Sequence, residues 1–242
     1  TRYIGDWSSD VCSSDLKGGI TPDEAGFETH CLWNIPGGGR NRYWNPSLVQ
    51  DGELLDLPEN SYGPDITTDF LIDFIKKNQA EPFLVYFPMI LPHNPFHVTP
   101  DSKDPHSTDA KSNFIDMVQY IDKNVGRLED TLTSLGLREK TLIIFTSDNG
   151  TNAQLTSELE GETIRGGKGY THDYGTHVPL IVNWPGEIQG GRVIDDLVCF
   201  SDIFPTMVDA AKLPKKQIDD ADGWSFWPQC EGKPGRTRDW IY

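Results

Sequence analysis

The sequence predicts an α/β fold in which a mostly parallel central sheet is flanked by helices. Continuous apolar runs of strand length recur at residues 83–87, 141–146 and 178–182, the pattern of strands buried on both faces. A long stripe of apolar residues at helical spacing separates the first two runs. Strands and helices that alternate through short links argue for a parallel sheet.

Taken in order, residues 1–16, TRYIGDWSSDVCSSDL, show neither helical nor strand periodicity. They also lack the basic and apolar regions of a signal peptide. Asp6–Leu16 matches one reading frame of a common short-read sequencing adapter, and Thr1–Gly5 fits the adapter stretch just upstream. The segment is therefore set aside from the fold as a translated artefact, leaving 17–242 as the native portion. Its Cys12 leaves with it. The remaining Cys31, Cys199 and Cys230 contain no CxxC and make neither a metal cluster nor a disulfide framework. A chain that opens in adapter is expected to be cut at its front. The apolar ending Arg238-Asp239-Trp240-Ile241-Tyr242 predicts a cut there too.

Residues 17–64 read as loops, with Gly37-Gly38-Gly39 and several Trp and Tyr; long loops in compact enzymes tend to build sites. Asp65, following Pro64, caps a helix to Asn78 whose apolar face is Ile66, Phe70, Phe74 and Ile75, with Ile72 weaker. Pro82 opens the strand 83–87. A helix from Ser107 or Thr108 to Leu135 carries Phe114, Met117, Val118, Ile121, Val125, Leu128, Leu132 and Leu135 as its core stripe, and Gly136 stops it. Strands follow at Thr141–Thr146 and at Val178–Val182, the latter closed by Trp184-Pro185-Gly186. Ser201 caps a last helix to Lys212, with Pro205 tolerated in its first turn.

At 242 residues the chain can bury the core of one sizeable domain or two small ones. Hydrophobic residues at 36% and aromatics at 11% exclude a disordered acidic tail. A net charge of −16 argues against a nucleic-acid partner, which needs a basic face. No apolar run approaches the ~20 residues that span a bilayer. The acid excess fits a solvated surface, and equally acidic clusters that could hold a cation.

Ligands of open α/β sheets bind just beyond the carboxyl ends of the strands, and two of the apolar runs end in polar motifs. The run 141–146 enters Ser147-Asp148-Asn149-Gly150. A carboxylate and an amide there offer two hard oxygens to Ca²⁺ or Mg²⁺, while Gly150 lets the backbone turn away. A plain turn would read the same way. The run 83–87 leads to Leu91-Pro92-His93-Asn94-Pro95-Phe96-His97. Flanking prolines stiffen the backbone that positions His93. Pro95 breaks the helix that would make His93 and His97 a zinc pair. Arg165-Gly166-Gly167-Lys168-Gly169 sets cations among glycines, so that Lys168 can meet an oxyanion. It is not a P-loop, lacking the upstream Gly and the following Ser/Thr; a flexible surface loop would look alike.

His93, Asp148-Asn149 and Lys168 occur in this order with Ala25-Gly26-Phe27, Arg42-Tyr43-Trp44-Asn45-Pro46, Tyr62-Gly63-Pro64-Asp65, Thr176-His177-Val178-Pro179, Trp184-Pro185-Gly186 and Asp202-Ile203-Phe204-Pro205-Thr206. As a set these resemble the sulfatase family of the alkaline-phosphatase superfamily, its arylsulfatase-like members above all. The resemblance implies an alkaline-phosphatase-like sandwich, of which 17–242 would be the C-terminal portion of the catalytic domain. It implies that Asp148 and Asn149 are metal ligands for Ca²⁺, with Mg²⁺ possible. Lys168 would bind the sulfate oxygens, and His93 would touch the ester and protonate the leaving oxygen. His177 stands where relatives carry Arg or His and has only structural weight; His172 has no family role. The substrate would be a sulfated small molecule or carbohydrate, with the aromatic loop Trp33–Trp44 shaping a pocket or merely packing. The location would be periplasmic or secreted.

The departures from the family pattern are equally specific. The Cys/Ser-x-Pro-x-Arg motif, whose first residue becomes the formylglycine nucleophile, has no counterpart: Cys31, Cys199 and Cys230 begin Cys-Leu-Trp-Asn-Ile, Cys-Phe-Ser-Asp-Ile and Cys-Glu-Gly-Lys-Pro. The family's paired Asp ligands and its Lys-x-His motif are missing as well. The expectation is a sulfatase fragment that is inactive alone and binds Ca²⁺ weakly. A phosphodiesterase or phosphonate hydrolase of the same superfamily, or a non-catalytic sulfatase-like binding protein, stands as the alternative. Asn149-Gly150-Thr151 is formally a glycosylation sequon, discounted because Asn149 is the proposed ligand.

Overall fold

A computed structural model describes residues 2–5, 21–33 and 41–241. The adapter-like residues 6–16, with Cys12, and the glycines 37–39 lie outside them. In chain order the first elements are β1 (Arg2–Gly5), β2 (Thr29–Trp33), β3 (Leu48–Gln50), β4 (Glu53–Leu54), α1 (Gly63–Asn78), β5 (Phe83–Tyr86) and α2 (Ala110–Ser134). There follow β6 (Ile143–Thr146), β7 (Thr156–Leu159), β8 (Glu162–Arg165), α3 (Asp173–Thr176), β9 (Leu180–Asn183), α4 (Ile203–Ala210) and α5 (Trp227–Cys230). These divide between two compact units, Thr1–Leu137 with Asp148–Val178, and Arg138–Ser147 with Pro179–Tyr242.

The first unit is built on a sheet ordered β4-β3-β2-β1-β5. β1 pairs in parallel with both β2 and β5, Ile4 lying opposite Thr29 on one side and Val85 on the other. Arg2–Gly5, set aside above with the adapter-like segment, forms the strand between β2 and β5. Four residues are too few to show a period, and pairing on both sides supplies what local pattern does not. The loop-rich stretch 17–64 also carries the short strands β2, β3 and β4, which pair antiparallel in series.

α1 starts one turn earlier than Asp65. Tyr62 is its N-cap and Pro64 stands in its opening positions, where the fixed φ and missing N–H of proline suit the helix. Its buried face includes Leu71, Ile72, Phe74 and Ile75, and Phe74 meets Phe83 of β5 edge to face at 6.2 Å. The buried hydroxyls of Thr67 and Thr68 donate back to Gly63 and Pro64 carbonyls.

Asp109 caps α2 by accepting the Ser112 amide. The buried line of that helix runs through Asn113, Met117, Tyr120, Asn124 and Leu132, rotated from the expected stripe; Val118 is 43% exposed. Asn113 is tolerated inside because its amide donates to the Phe96 and Ser107 carbonyls at 3.1 Å. Tyr120 donates to both carboxylate oxygens of Asp65 at 2.8 and 2.9 Å, tying α2 to α1. Tyr43, Tyr62, Ile90, Leu91, Met117 and Tyr120 form the core here. Burial pushes the phenols of Tyr62 and Tyr120 above their ordinary range, so both stay neutral.

In the second unit β6 and β9 pair antiparallel, Ile143 opposite Asn183 and Thr146 opposite Leu180. The expected parallel pairing is thereby corrected: a continuous apolar run favours a strand without specifying its neighbour's direction. Nor are these strands covered on both faces. β6 is half-buried throughout, and β9 alternates between half-buried and exposed. Ala210, Phe226, Trp227 and Cys230 make the core, with Leu180, Val182 and Trp184 packed on it. The last helix is not capped by Ser201; a 3₁₀ turn at Phe200–Asp202, capped by Cys199, leads into α4. Asp202 is 3% exposed and accepts the Cys199 amide at 2.9 Å, the Trp224 amide at 2.6 Å and the Arg238 guanidinium through both Nε and Nη2. Among the described residues no helix is long and apolar enough to cross a membrane.

Candidate active site

All four candidate residues fall in the first unit. Asp148 and Asn149 begin its second stretch, directly after Ser147 of the other unit. Their loop, the glycine-rich loop and the short helix α3 are joined backbone to backbone. Gly150 N donates to Gly175 O at 2.9 Å, Lys168 N to Thr151 O at 2.9 Å, and Gly166 N to Leu155 O at 3.0 Å.

These contacts explain the glycines. A Cβ on Gly150 would overlap the Tyr174 carbonyl, one on Gly166 the carbonyls of Thr151 and Asn152, and one on Gly175 those of Gly167 and Tyr170. Gly167 would strike Tyr174 backbone and the His172 ring. Gly150 is thus needed for close packing rather than for the sharp turn expected of it, while Gly169, at φ +89°, supplies a turn. The result is a rigid platform that brings the Asp148–Asn149 loop and Lys168 together.

The β7–β8 hairpin rises immediately before this platform. Its two-residue turn, Glu160-Gly161, has both φ positive at 52° and 86°, the conformation that matches hairpin twist. Ser157 faces Ile164 and Thr156 faces Arg165 across it. The Arg165 Nε donates to Ala153 O at 2.7 Å.

His93 is built by other elements. The Tyr43 hydroxyl donates to His93 O and, at 3.3 Å, to Ile90 O. Trp44 Nε1 donates to Val98 O at 2.9 Å and Asn113 to Phe96 O, so the whole 90–98 segment is laced to its neighbours. The imidazole Nδ1 lies 2.8 Å from Arg42 Nη1 and 2.6 Å from Asn94 O. Arginine can only donate. Asn94 O can only accept, so Nδ1 faces a donor and an acceptor at once: a lone pair there receives Arg42, and a proton there goes to Asn94 O. Arg42 itself is braced over the Trp33 ring at 4.2 Å. This residue, which the reading of the motifs left without a role, thus stands against the His93 ring. Its signal was its place beside Tyr43 and Trp44 in a shared motif. His97 packs against Tyr43 at 5.9 Å, away from any helix.

As cation ligands, Asp148 and Asn149 fit by donor type: Asp148 is exposed and Asn149 half-buried, and a carboxylate beside an amide suits a hard ion. Two donors fall short of the six to eight that Ca²⁺ takes. Among the described residues no three His, Cys, Asp or Glu gather as a metal centre would require. Cys31 and Cys230 are buried and Cys199 is half-buried.

Comparison with known proteins adds the following. The Sulfatase family model matches residues 1–213. The chain is 29% identical over 231 residues to the uncharacterized sulfatase YdeN of Escherichia coli K12, covering 91% of this chain and 40% of that protein. It is 34% identical over 170 residues to human steryl-sulfatase, covering 68% of this chain and 29% of that one. In three dimensions it resembles BT4656 in complex with its substrate D-glucosamine-2-N,6-O-disulfate, with a TM-score of 0.71 at 18% identity over 99% of this chain and 64% of the other. The chain therefore spans well under half the length of the two curated relatives.

Proposed function

The chain belongs to the sulfatase family, and from that premise we propose that it is part of the catalytic domain of a sulfuric-ester hydrolase that acts on a sulfated carbohydrate or small molecule. The observation that carries this reading is the glycine-locked platform on which Lys168 N bonds Thr151 O, holding the Asp148–Asn149 pair and Lys168 in one rigid piece. The reading places β1, β2 and β5 within the mostly parallel central sheet of an alkaline-phosphatase-like sandwich. Export to the periplasm or beyond is part of the same proposal and rests on the family resemblance alone.

Within this reading Lys168 pairs its ammonium with sulfate oxygens and offsets the charge that develops on them. Asp148 and Asn149 would hold a divalent cation, Ca²⁺ or Mg²⁺, which supplies polarisation of the same oxygens. His93 delivers a ring proton to the departing alcohol oxygen, and Arg42 stands against the Nδ1 side of that ring. The formylglycine nucleophile and the paired Asp ligands have no counterpart in these residues, so they would come from sequence outside this chain. Relatives named as sulfatases favour sulfate over the phosphonate or phosphodiester alternative.

The test is to express the protein with the upstream sequence of its own genomic locus and to assay 4-nitrophenyl sulfate beside a phosphodiester and a phosphonate monoester. Sulfate-ester turnover that falls about 10²-fold or more in Lys168→Ala supports the proposal. Turnover of the phosphorus esters alone, or an upstream sequence lacking Cys/Ser-x-Pro-x-Arg, overturns it.

A further inference from the structure

The residues on either side of Lys168 in the sequence line an open cavity of about 310 Å³, at the small end of ligand pockets. Glu162, Thr163 and Arg165 of β8 line it on one side and Tyr170, His172 and Tyr174 on the other. The three rings form a ladder. Tyr170 and His172 stack at 5.4 Å with planes 16° apart, and Tyr174 meets His172 edge-on at 5.9 Å. Tyr170 is 60% and Tyr174 52% exposed. Two large aromatics left this open gain little from burial.

Their backbone, by contrast, is pinned: Tyr170 N donates to Gly167 O at 2.9 Å and Gly175 N to His172 O at 2.8 Å. The ladder is therefore an ordered, amphipathic surface presented to solvent. Arg165 completes it. Its Nε is spent on Ala153 O, which fixes the stem and leaves the Nη hydrogens for an anion, while Glu162 offers an acceptor for hydroxyls.

We propose that this cavity is a subsite for a pyranose ring carrying an anionic substituent, the part of a saccharide that flanks the sulfate ester. The choice of this ligand rests on the sulfatase reading; the surface itself is read from the rings and charges. The apolar CH face of the sugar packs on the Tyr170 ring with Tyr174 walling its edge, its hydroxyls meet Glu162 and the phenols, and its carboxylate or second sulfate meets Arg165.

The experiment titrates the 242-residue chain with a hyaluronan tetrasaccharide, which carries carboxylates and no sulfate, and with neutral maltotetraose. Binding is followed through backbone amide shifts. The acidic saccharide is expected to shift the amides of 162–174 and to bind more tightly than the neutral one. Tyr170→Ala should weaken it about three- to tenfold and Tyr170→Phe should restore it within about twofold. Arg165→Gln should abolish the preference for the acidic saccharide. Folding of each variant is read from the same amide spectrum; the Tyr170 backbone bond to Gly167 survives in both substitutions. Binding unchanged by Tyr170→Ala and Arg165→Gln, shifts elsewhere in the chain, or no shifts at all would overturn the proposal. Inorganic sulfate, titrated separately into Lys168→Ala, tests how the ester is anchored. That arm can fail while the saccharide arm stands.

Discussion

Gly166→Ala is expected to destabilise the platform by about 3–5 kcal/mol, whereas Gly126→Ala, in the same unit, should stabilise the chain by about 0.5–1 kcal/mol. At Gly166 the new methyl would collide with the carbonyl oxygens of Thr151 and Asn152. These are backbone atoms and cannot swing aside as a side-chain tip would. Overpacking of this kind costs about 1–3 kcal/mol. Separating the strands of chain also endangers two backbone bonds, Gly166 N to Leu155 O and Lys168 N to Thr151 O, worth about 1 kcal/mol each. At Gly126, inside α2, a Cβ would meet nothing within 4 Å, and alanine merely restores helix propensity. Because the chain has two units, a single melting curve would blur the comparison. Hydrogen exchange at individual amides avoids this. Lys168 and Gly166 should lose protection in Gly166→Ala while α1 and α2 keep theirs. A Gly166→Ala chain that retains Lys168 protection within about 0.5 kcal/mol of the parent would refute the close-packing account.

Three further outcomes are expected. In the second unit, burial works to raise the Asp202 carboxyl, but the Arg238 guanidinium and the Cys199 and Trp224 amides hold it below the usual range. A lowered folded value means its stabilisation is present above about pH 4 and is lost as pH falls through that value. Arg238→Ala should therefore cost about 2–4 kcal/mol at neutral pH and raise the midpoint of acid unfolding, followed by tryptophan fluorescence. Arg238 lies over the Trp224 ring at 4.2 Å, which makes that probe local; an unmoved midpoint would contradict the assignment. Arg42→Ala removes the donor that faces His93 Nδ1 and leaves Asn94 O to accept from it, so the neutral ring should shift toward the Nδ1–H form. Imidazole ¹⁵N shifts in the neutral state would report the change, and unchanged shifts would exclude an influence of Arg42 on the tautomer. Finally, ~1 mM Ca²⁺ should stabilise the 242-residue chain by under about 0.5 kcal/mol in calorimetry, since only Asp148 and Asn149 are offered as ligands; micromolar binding would contradict this.

The parts of the fold legible in the sequence are those where hydrophobic pattern and structure share a cause. α1 and α2 announce themselves because each buries one face along its length, and β5 because four apolar residues follow one another, although none of them is fully buried. The buried line of α2 was misjudged by a rotation because it contains Asn113 and Asn124, and hydropathy cannot see that Asn113 finds two carbonyl partners. β7 and β8 are polar and exposed, so their pairing shows only in the Glu160-Gly161 turn. Strand direction was invisible for β6 and β9, since an apolar run reads alike either way. Of the candidate site, Asp148, Asn149, Lys168 and His93 stand in recognisable motifs. Arg42 was not legible as part of it, because its meeting with His93 spans 51 residues of chain and follows from the lacing of one loop onto another. The glycines were visible as glycines, but which served φ and which served packing is a fact of three dimensions.

The place of β1 in its sheet bears on how the protein can be handled. Four residues at the very edge of the sequence bridge β2 and β5, which reach each other through no other described strand. Terminal residues are routinely trimmed or fused to affinity tags as if they were spare. Here a trim past Gly5 would remove the bridge, leaving β2 and β5 with newly unpaired edges ready to recruit any extended segment nearby. Cloning that preserves Arg2–Gly5, and tags placed at the other terminus, follow directly from that geometry.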